Sequence, residues 1–456
     1  MKINNHSSAY GDEKAMESAV FDPAREHPAG RKPAVVIIGP PWPRSGTARV
    51  IQNQIRYYRG RGFLIVFIAV PFAWYFIDLS HNRKEMIEGL NELGADRMCM
   101  ATLDQKGYNA AKYKASMRHA FHGTVLDWRV AIGRSAKLSD GDVEFLRKLR
   151  PALFHVNHVY TLGFALRLRR RFFHEPTPII LETHDIQSQF LKEKGERNPW
   201  TRRPDRFEQL IKSETQLLEK ADVLIHLSLD DFELFEAAMS SKPQFLAFPT
   251  IDEKFASRMR AAIPIADSID LLFLGVSHPA NLAAVEWFFR DVWPLIAEHR
   301  YNLKIVGPIN VMVQRELPQL YDTFRPFFVG EVADPIPYYR AAHCVIAPMV
   351  SGSGISIKTI EALALGKPFV GTSKAFRGMP MDRLKEVGIQ AHDEPQAFAN
   401  AIVDALSNEA GAKAISRAAY EKVFSIEAST TSRDEALRAA LDARQSKSWL
   451  WGLGLL

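Results

Sequence analysis

Two cysteines in 456 residues are too few for a disulfide scaffold. Cys99 and Cys344 each stand among apolar neighbours, which predicts buried thiols in a reducing compartment. No Cys/His spacing of the zinc-site type occurs. Long apolar runs are also missing. The longest, Phe63 to Ile77, is broken by Pro71 and falls short of the roughly 20 residues that span a bilayer. It predicts a buried parallel strand followed by a turn. The N-terminus has no basic segment leading into an apolar one, so a secretory signal is not expected. The formal charge of +6 suits an anionic ligand or an anionic membrane surface. It is too modest to argue for nucleic acid. There is no internal repeat. These absences predict a cytoplasmic protein, with peripheral contact on an inner membrane face as the only membrane option. For that option the apolar end Trp449 to Leu456 could enter an interface. Alternatively this end docks in a groove or is disordered.

What is present is an α/β rhythm, and one stretch organises it. Cys344 to Ala347 is a short apolar strand ended by Pro348. Gly352, Ser353 and Gly354 form a loop whose backbone can approach a ligand. Ile357, Ile360, Leu363 and Ala364 then fall on one helical face, Gly366 closes the helix, and Phe369 begins the next strand. The free N–H groups at such a helix start suit an anion, for example a diphosphate. Lys358 and Glu361, three apart, project from nearly the same side. The cation could neutralise phosphate, and the carboxylate could accept hydrogen bonds from neighbouring ribose hydroxyls. An ordinary solvated Lys–Glu pair is the plain alternative.

Other segments give the same rhythm. Residues 1–32 are polar and predict a disordered tail. Ala34 to Ile38 is a strand, and a helix follows Ser45-Gly46-Thr47, with a cap at Ser45 or Thr47 as the simplest reading of that turn. Strands at Leu153–Val156 and Ile179–Leu181 run into Asn157-His158 and His184-Asp185. Strand ends of this kind line the crevice of a doubly wound sheet. Residues 104–141 scatter aromatics among basic residues and are a candidate acceptor-side region, or a helix packed through those aromatics. Arg167, Arg169, Arg170 and Arg171 are a solvated face or a contact for acidic headgroups.

The sequence G-S-G, then Lys358, then E-A-L-A-L-G-K-P-F-V-G-T resembles the C-terminal signature of family-four-like glycosyltransferases of the GT-B fold. Phe273-Leu274-Gly275, Pro279, Asn281, Asp291-Val292-Trp293-Pro294 and Leu303 to Gly307 extend the likeness over about 271–424. The resemblance implies two Rossmann-like doubly wound parallel-sheet domains facing across a crevice. Residues 33–250 would be the acceptor-side domain and 251–270 a linker. Residues 271–425 would bind the nucleotide sugar, and 426–456 would be a final helix crossing back, with an apolar tail. It implies a retaining, metal-independent transfer of sugar from a nucleotide-diphosphate sugar to a saccharide or lipid-linked acceptor, in surface polysaccharide or glycolipid synthesis. By that likeness His158 (or Asn157) and His184 approach the sugar and Lys358 supports the leaving diphosphate. Gly46, Gly275, Ser353, Gly354, Lys358 and Glu361 bind the donor, and no residue holds a metal. Two departures stand out. Ser353 occupies the place of a glutamate common in the family, and Gly275 to Asn281 lacks the usual Arg and Lys. Lys358, His278 or Lys374 could compensate. A nucleotide-sugar 2-epimerase and a catalytically silent sugar-nucleotide scaffold are the alternatives.

Overall fold

A computed structural model describes residues 32–43, 45–72, 83–121, 124–173, 177–196, 207–251, 257–258, 261, 263, 265 and 267–452. The predicted tail up to residue 31, most of 252–266 within the predicted linker, and the last four residues lie outside that set.

Two parallel sheets carry the chain. The first holds β1 (Ala34–Gly39), β2 (Leu64–Ala69), β3 (Arg97–Met100), β4 (Leu153–Asn157), β5 (Ile179–Thr183), β6 (Val223–His226) and β7 (Gln244–Leu246). Its strand order is 3-2-1-4-5-6-7. The second holds β8 (Ile269–Leu274), β9 (Leu303–Val306), β10 (Phe328–Gly330), β11 (Ala342–Ala347) and β12 (Phe369–Gly371), in the order 10-9-8-11-12. All the strand pairs within these sheets are parallel. The strands are apolar runs rather than alternations because helices cover both faces. β1 is Ala-Val-Val-Ile-Ile-Gly, buried throughout.

Each sheet reverses its winding once. In the first, β1 pairs β2 on one side and β4 on the other. In the second, β8 pairs β9 and β11. Loops leaving the carboxyl ends of these central strands splay apart, and that gap is where doubly wound sheets take ligands.

β8 begins at Ile269, inside the stretch read as linker, because Ile269 pairs with Ala342 of β11. β7 ends at Leu246. The helix after β4 starts at Val159, because His158 turns the chain directly with φ 61°. The helix that starts at Pro279 gives way to a π-helical turn, Phe288–Val292.

The final helix, Ile426–Gly452, returns to the first sheet. Its Ala436, Leu437 and Ala440 share a core with Val35, Ile37 and Val223. Asp434 accepts from Tyr57 Oη at 2.8 Å and from Arg61 Nε at 2.6 Å. Arg433 reaches deeper, to Glu182 Oε2 at 2.6 Å and Oε1 at 3.1 Å. Glu182 also meets His155 Nε2 at 2.9 Å, and His155 Nδ1 meets Tyr58 Oη at 2.8 Å. Burial pushes the Glu182 carboxyl up, but Arg433 and His155 outweigh it and hold it well below the usual range. No helix among the described residues is long and apolar enough to cross a membrane.

Candidate active site

The two switch points face each other and touch. A Cβ on Gly354 would stand 2.9 Å from the His184 carbonyl oxygen and 3.0 Å from Asp185 Cβ. One on Gly46 would stand 3.1 Å from Ile357 Cγ1. The Leu229 N–H donates to the Gly378 carbonyl at 2.8 Å. Arg49 Nε, from the first domain, lies 3.6 Å from Glu361 Oε1. Glycine is therefore required at 354, by the close approach of the His184 carbonyl and by φ 66°, while at 46 it gives a tight fit against Ile357.

On the first-domain side the site is a hydrogen-bonded lattice. Asn157, the last residue of β4, exchanges amide bonds with Gln54: Gln54 Nε2 to Asn157 Oδ1 at 2.7 Å, and Asn157 Nδ2 to Gln54 Oε1 at 3.0 Å. That pairing makes Asn157 Oδ1 an acceptor, so His184 donates Nε2–H to it at 2.9 Å. Burial lowers the His184 imidazole to about 4, so it is neutral at pH 7 with its lone pair on Nδ1. His158 stacks on His184 at 3.9 Å between ring centroids. Its Nε2 meets Thr47 Oγ1 at 3.1 Å, while Nδ1 is buried without a hydrogen bond. Burial, then His184, holds His158 well below its ordinary value. A non-glycine residue at positive φ costs about 1–3 kcal/mol, and such residues cluster at functional sites. Both predicted histidines and Asn157 are thus brought together.

Asp185 follows His184. Burial lifts its carboxyl to about 6, against the pull of Gln187 and of Arg129 and Arg377. The buried Glu214, accepting from the Gln187 and Ser188 amides, is lifted to about 7.

On the second-domain side, β11 opens into Gly352 with φ 129° and Gly354, then the helix Ile357–Ala364. Glu361 accepts from Tyr339 Oη at 3.1 Å, and burial raises its carboxyl against the pull of Arg49. Lys358 is engaged as well. Its Nζ donates to the Leu274 carbonyl at 2.6 Å and to Asn281 Oδ1 at 2.9 Å, 5.2 Å from the Phe273 ring. Burial, then Arg377, lowers it to about 7. The Ser353 carbonyl accepts from Arg377 Nε at 3.0 Å.

Several predicted residues turn out to have structural tasks. At Gly275 a Cβ would meet Ile309 Cγ2 at 2.9 Å, so glycine there allows β8 and the Ile309 helix to pack. Ser45, not Thr47, caps the Gly46–Gly60 helix. Burial raises the Cys99 and Cys344 thiols to about 11 and about 12. The chain's Asp140-Gly141-Asp142 stands off the site. Asp142 pairs with Arg97, the first residue of β3, at the sheet edge opposite the crevice. Among the described residues no group of three His, Cys, Asp or Glu could hold a metal ion. Sequence reasoning missed Arg49, Tyr339 and Arg377, and gave Asp185, visible at a strand end, no role. Arg377 had a local signal: a basic residue before Gly378, in the loop after the next strand of the same sheet.

Residues 268–408 match the family described as Glycosyl transferases group 1. The second domain thus carries a group 1 glycosyltransferase match, and the two-sheet fold is that of GT-B glycosyltransferases. The fold is similar to that of sucrose-phosphate synthase from Thermosynechococcus elongatus. That likeness has TM-score 0.59 and 16% identity, over 91% of this chain and 100% of that one. It is also similar to Anabaena Alr3699/HepE solved with UDP and glucose. There the TM-score is 0.56 with 14% identity, over 89% and 99% of the two chains. A third likeness is to a mutant of S. aureus TarM solved with fondaparinux, alpha-GlcNAc-glycerol and UDP. That one has TM-score 0.56 and 10% identity, over 90% and 99%. At these identities the likeness is one of fold. No curated protein matches the sequence significantly.

Proposed function

We propose that the group 1 domain binds a uridine-diphosphate sugar and that the chain transfers the sugar, with retention and without a metal, to a hydroxyl of a saccharide or lipid-linked acceptor. The observation that carries this is the crevice itself. Gly354 of the glycine loop stands against the backbone of His184, which stacks with His158, and the Glu361–Tyr339 pair meets Arg49 of the first domain. The uridine diphosphate of the HepE and TarM complexes supports the choice of nucleotide.

Each part has a task in this reading. The loop amides and helix end receive the diphosphate as negative charge develops on it. Glu361 accepts both ribose hydroxyls. His184 and His158, being neutral, hydrogen-bond to sugar hydroxyls without opposing positive charge at the anomeric carbon. The acceptor enters over the first domain, and the leaving phosphate oxygen takes its proton on the same face. No protein nucleophile is required. The natural setting is surface polysaccharide or glycolipid synthesis on the cytoplasmic side, with peripheral contact to anionic membrane.

Mass spectrometry of the chain incubated with a panel of nucleotide sugars, in EDTA, tests this. The expected result is slow hydrolysis that releases UDP, faster with an acceptor mixture. An altered sugar still joined to nucleotide would make the chain an epimerase. Binding without turnover would make it a scaffold. Turnover only after magnesium or manganese is restored would refute the metal-free mechanism.

A further inference from the structure

We propose that Arg377 is the residue that neutralises the donor's diphosphate in this chain, in place of a cation after β8. The assignment rests on the donor reading above and deepens it.

The loop after β8 supplies no cation for the anion. Ser277 Oγ donates to the Pro308 carbonyl at 2.6 Å, and the His278 ring accepts the Ala280 N–H at 3.2 Å as a helix cap. Lys374 is exposed. Lys358 spends two of its donors on Leu274 and Asn281. Arg377, in contrast, lies across the glycine loop. A Cβ on Gly352 would stand 3.3 Å from the Arg377 Cζ and 3.4 Å from its Nε. Nε donates to the Ser353 carbonyl at 3.0 Å and Nη1 to the Lys374 carbonyl at 2.7 Å. These two bonds fix the plane of the guanidinium, whose fork matches phosphate oxygens. Gly352, lacking a Cβ, lets the guanidinium lie this close to the loop. Beside it, Ser351 Oγ is buried and makes no hydrogen bond.

Arg377 bears on two charged groups of the crevice. It adds to burial in lowering Lys358, and it opposes the rise of Asp185. The next residue, Gly378, carries the carbonyl that bonds Leu229 of the first domain. Arg377 is therefore held from both domains, and its position depends on their contact.

The plain alternative is a brace between the glycine loop and the Ser373–Phe376 turn. Titration calorimetry of UDP, UMP and uridine on the wild type, Arg377→Gln and Arg377→Lys separates the two. The assignment predicts that Arg377→Gln weakens UDP about tenfold or more. UMP should weaken less and uridine less than about twofold, with partial recovery in Arg377→Lys. Equal weakening of UDP and uridine, or unchanged UDP binding in Arg377→Gln, would overturn the assignment. The wild-type arm reports separately on the donor reading. If the wild type binds no nucleoside diphosphate, that reading fails and takes the assignment with it.

Discussion

The two halves of the crevice are built by opposite means. The first-domain half is side-chain chemistry. Gln54, Asn157, His184, Thr47 and His158 fill one another's hydrogen bonds, and behind them Tyr58, His155, Glu182 and Arg433 do the same in full burial. The second-domain half is backbone chemistry. Glycines at positive φ shape the loop, and a lysine and an arginine are held by carbonyl oxygens. A side-chain lattice keeps its shape without a ligand, because each member has at least one partner already, although His158 Nδ1 is left without one. A glycine loop beside cations has a deficit that an anion fills. The difference teaches that the first domain is preorganised to orient, while the second is left to be completed by the donor.

The largest expected effect comes from breaking the lattice at its base. Arg433 belongs to the last helix yet neutralises Glu182 one residue before Thr183 and two before His184. Arg433→Met leaves that carboxylate buried beside His155 alone. Losing one partner of a buried pair costs about 3–5 kcal/mol. Urea unfolding should show a loss of that size, and Arg433→Met with Glu182→Gln should recover part of it because no buried charge remains. A loss below about 1 kcal/mol would mean that water reaches Glu182 and that the helix is pinned by Ala436, Leu437 and Ala440 instead.

This contrast also governs what could be read in the sequence. The second-domain half is local. Strand, glycine loop, helix and strand follow in order from Ala342 to Gly371, and punctuation by Gly352, Gly354, Gly366 and Pro368 marks each joint. The site at Lys358 and Glu361 was legible for the same reason. What the local pattern could not show is that Lys358 points back to Leu274, 84 positions away. The first-domain half is non-local. Gln54 and Asn157 are 103 positions apart, and Glu182 and Arg433 are 251 apart. Nothing in the neighbourhood of either partner names the other. His158 and His184 were visible as residues after strands, but their stacking depends on parallel register between β4 and β5. Arg377 lies beyond Thr372, where the recognisable signature ends.

A smaller effect is expected at Glu361, where the halves meet through Arg49. A hydrogen bond to a charged group contributes about 1.5–3 kcal/mol. Glu361→Gln should therefore weaken UDP roughly tenfold or more. The 2′,3′-dideoxy ligand should bind the wild type and the variant about equally, since it lacks the hydroxyls. Calorimetry with both ligands on both proteins is the measurement. If the substitution weakens the two ligands alike, Glu361 serves the Arg49–Tyr339 contact and not the ribose.

The smallest effect is a proton. Lys358 is lowered from its ordinary 10.5 to about 7 because burial disfavours the ammonium, with Arg377 adding to it. At pH 8 most of the free protein therefore holds Lys358 neutral, bonded to Leu274 and Asn281. A diphosphate within reach favours the charged form and raises its value, so binding at pH 8 should draw a proton from buffer. At pH 6 the side chain is already charged and has none to take. Calorimetry in two buffers of different ionisation enthalpy counts that proton directly. Because the ligand's terminal phosphate itself titrates at about pH 6, the wild-type uptake is compared with that of Lys358→Met: the difference should rise from near zero at pH 6 to about 0.5–1 proton per site at pH 8. Lys358→Met should keep most of the affinity, because Arg377 remains. A difference near zero at pH 8 would mean that Lys358 stays on its carbonyl as a brace between β8 and the Ile357 helix. The anion would then be met by Arg377 and the loop amides, and the contrast between the two halves would be sharper still.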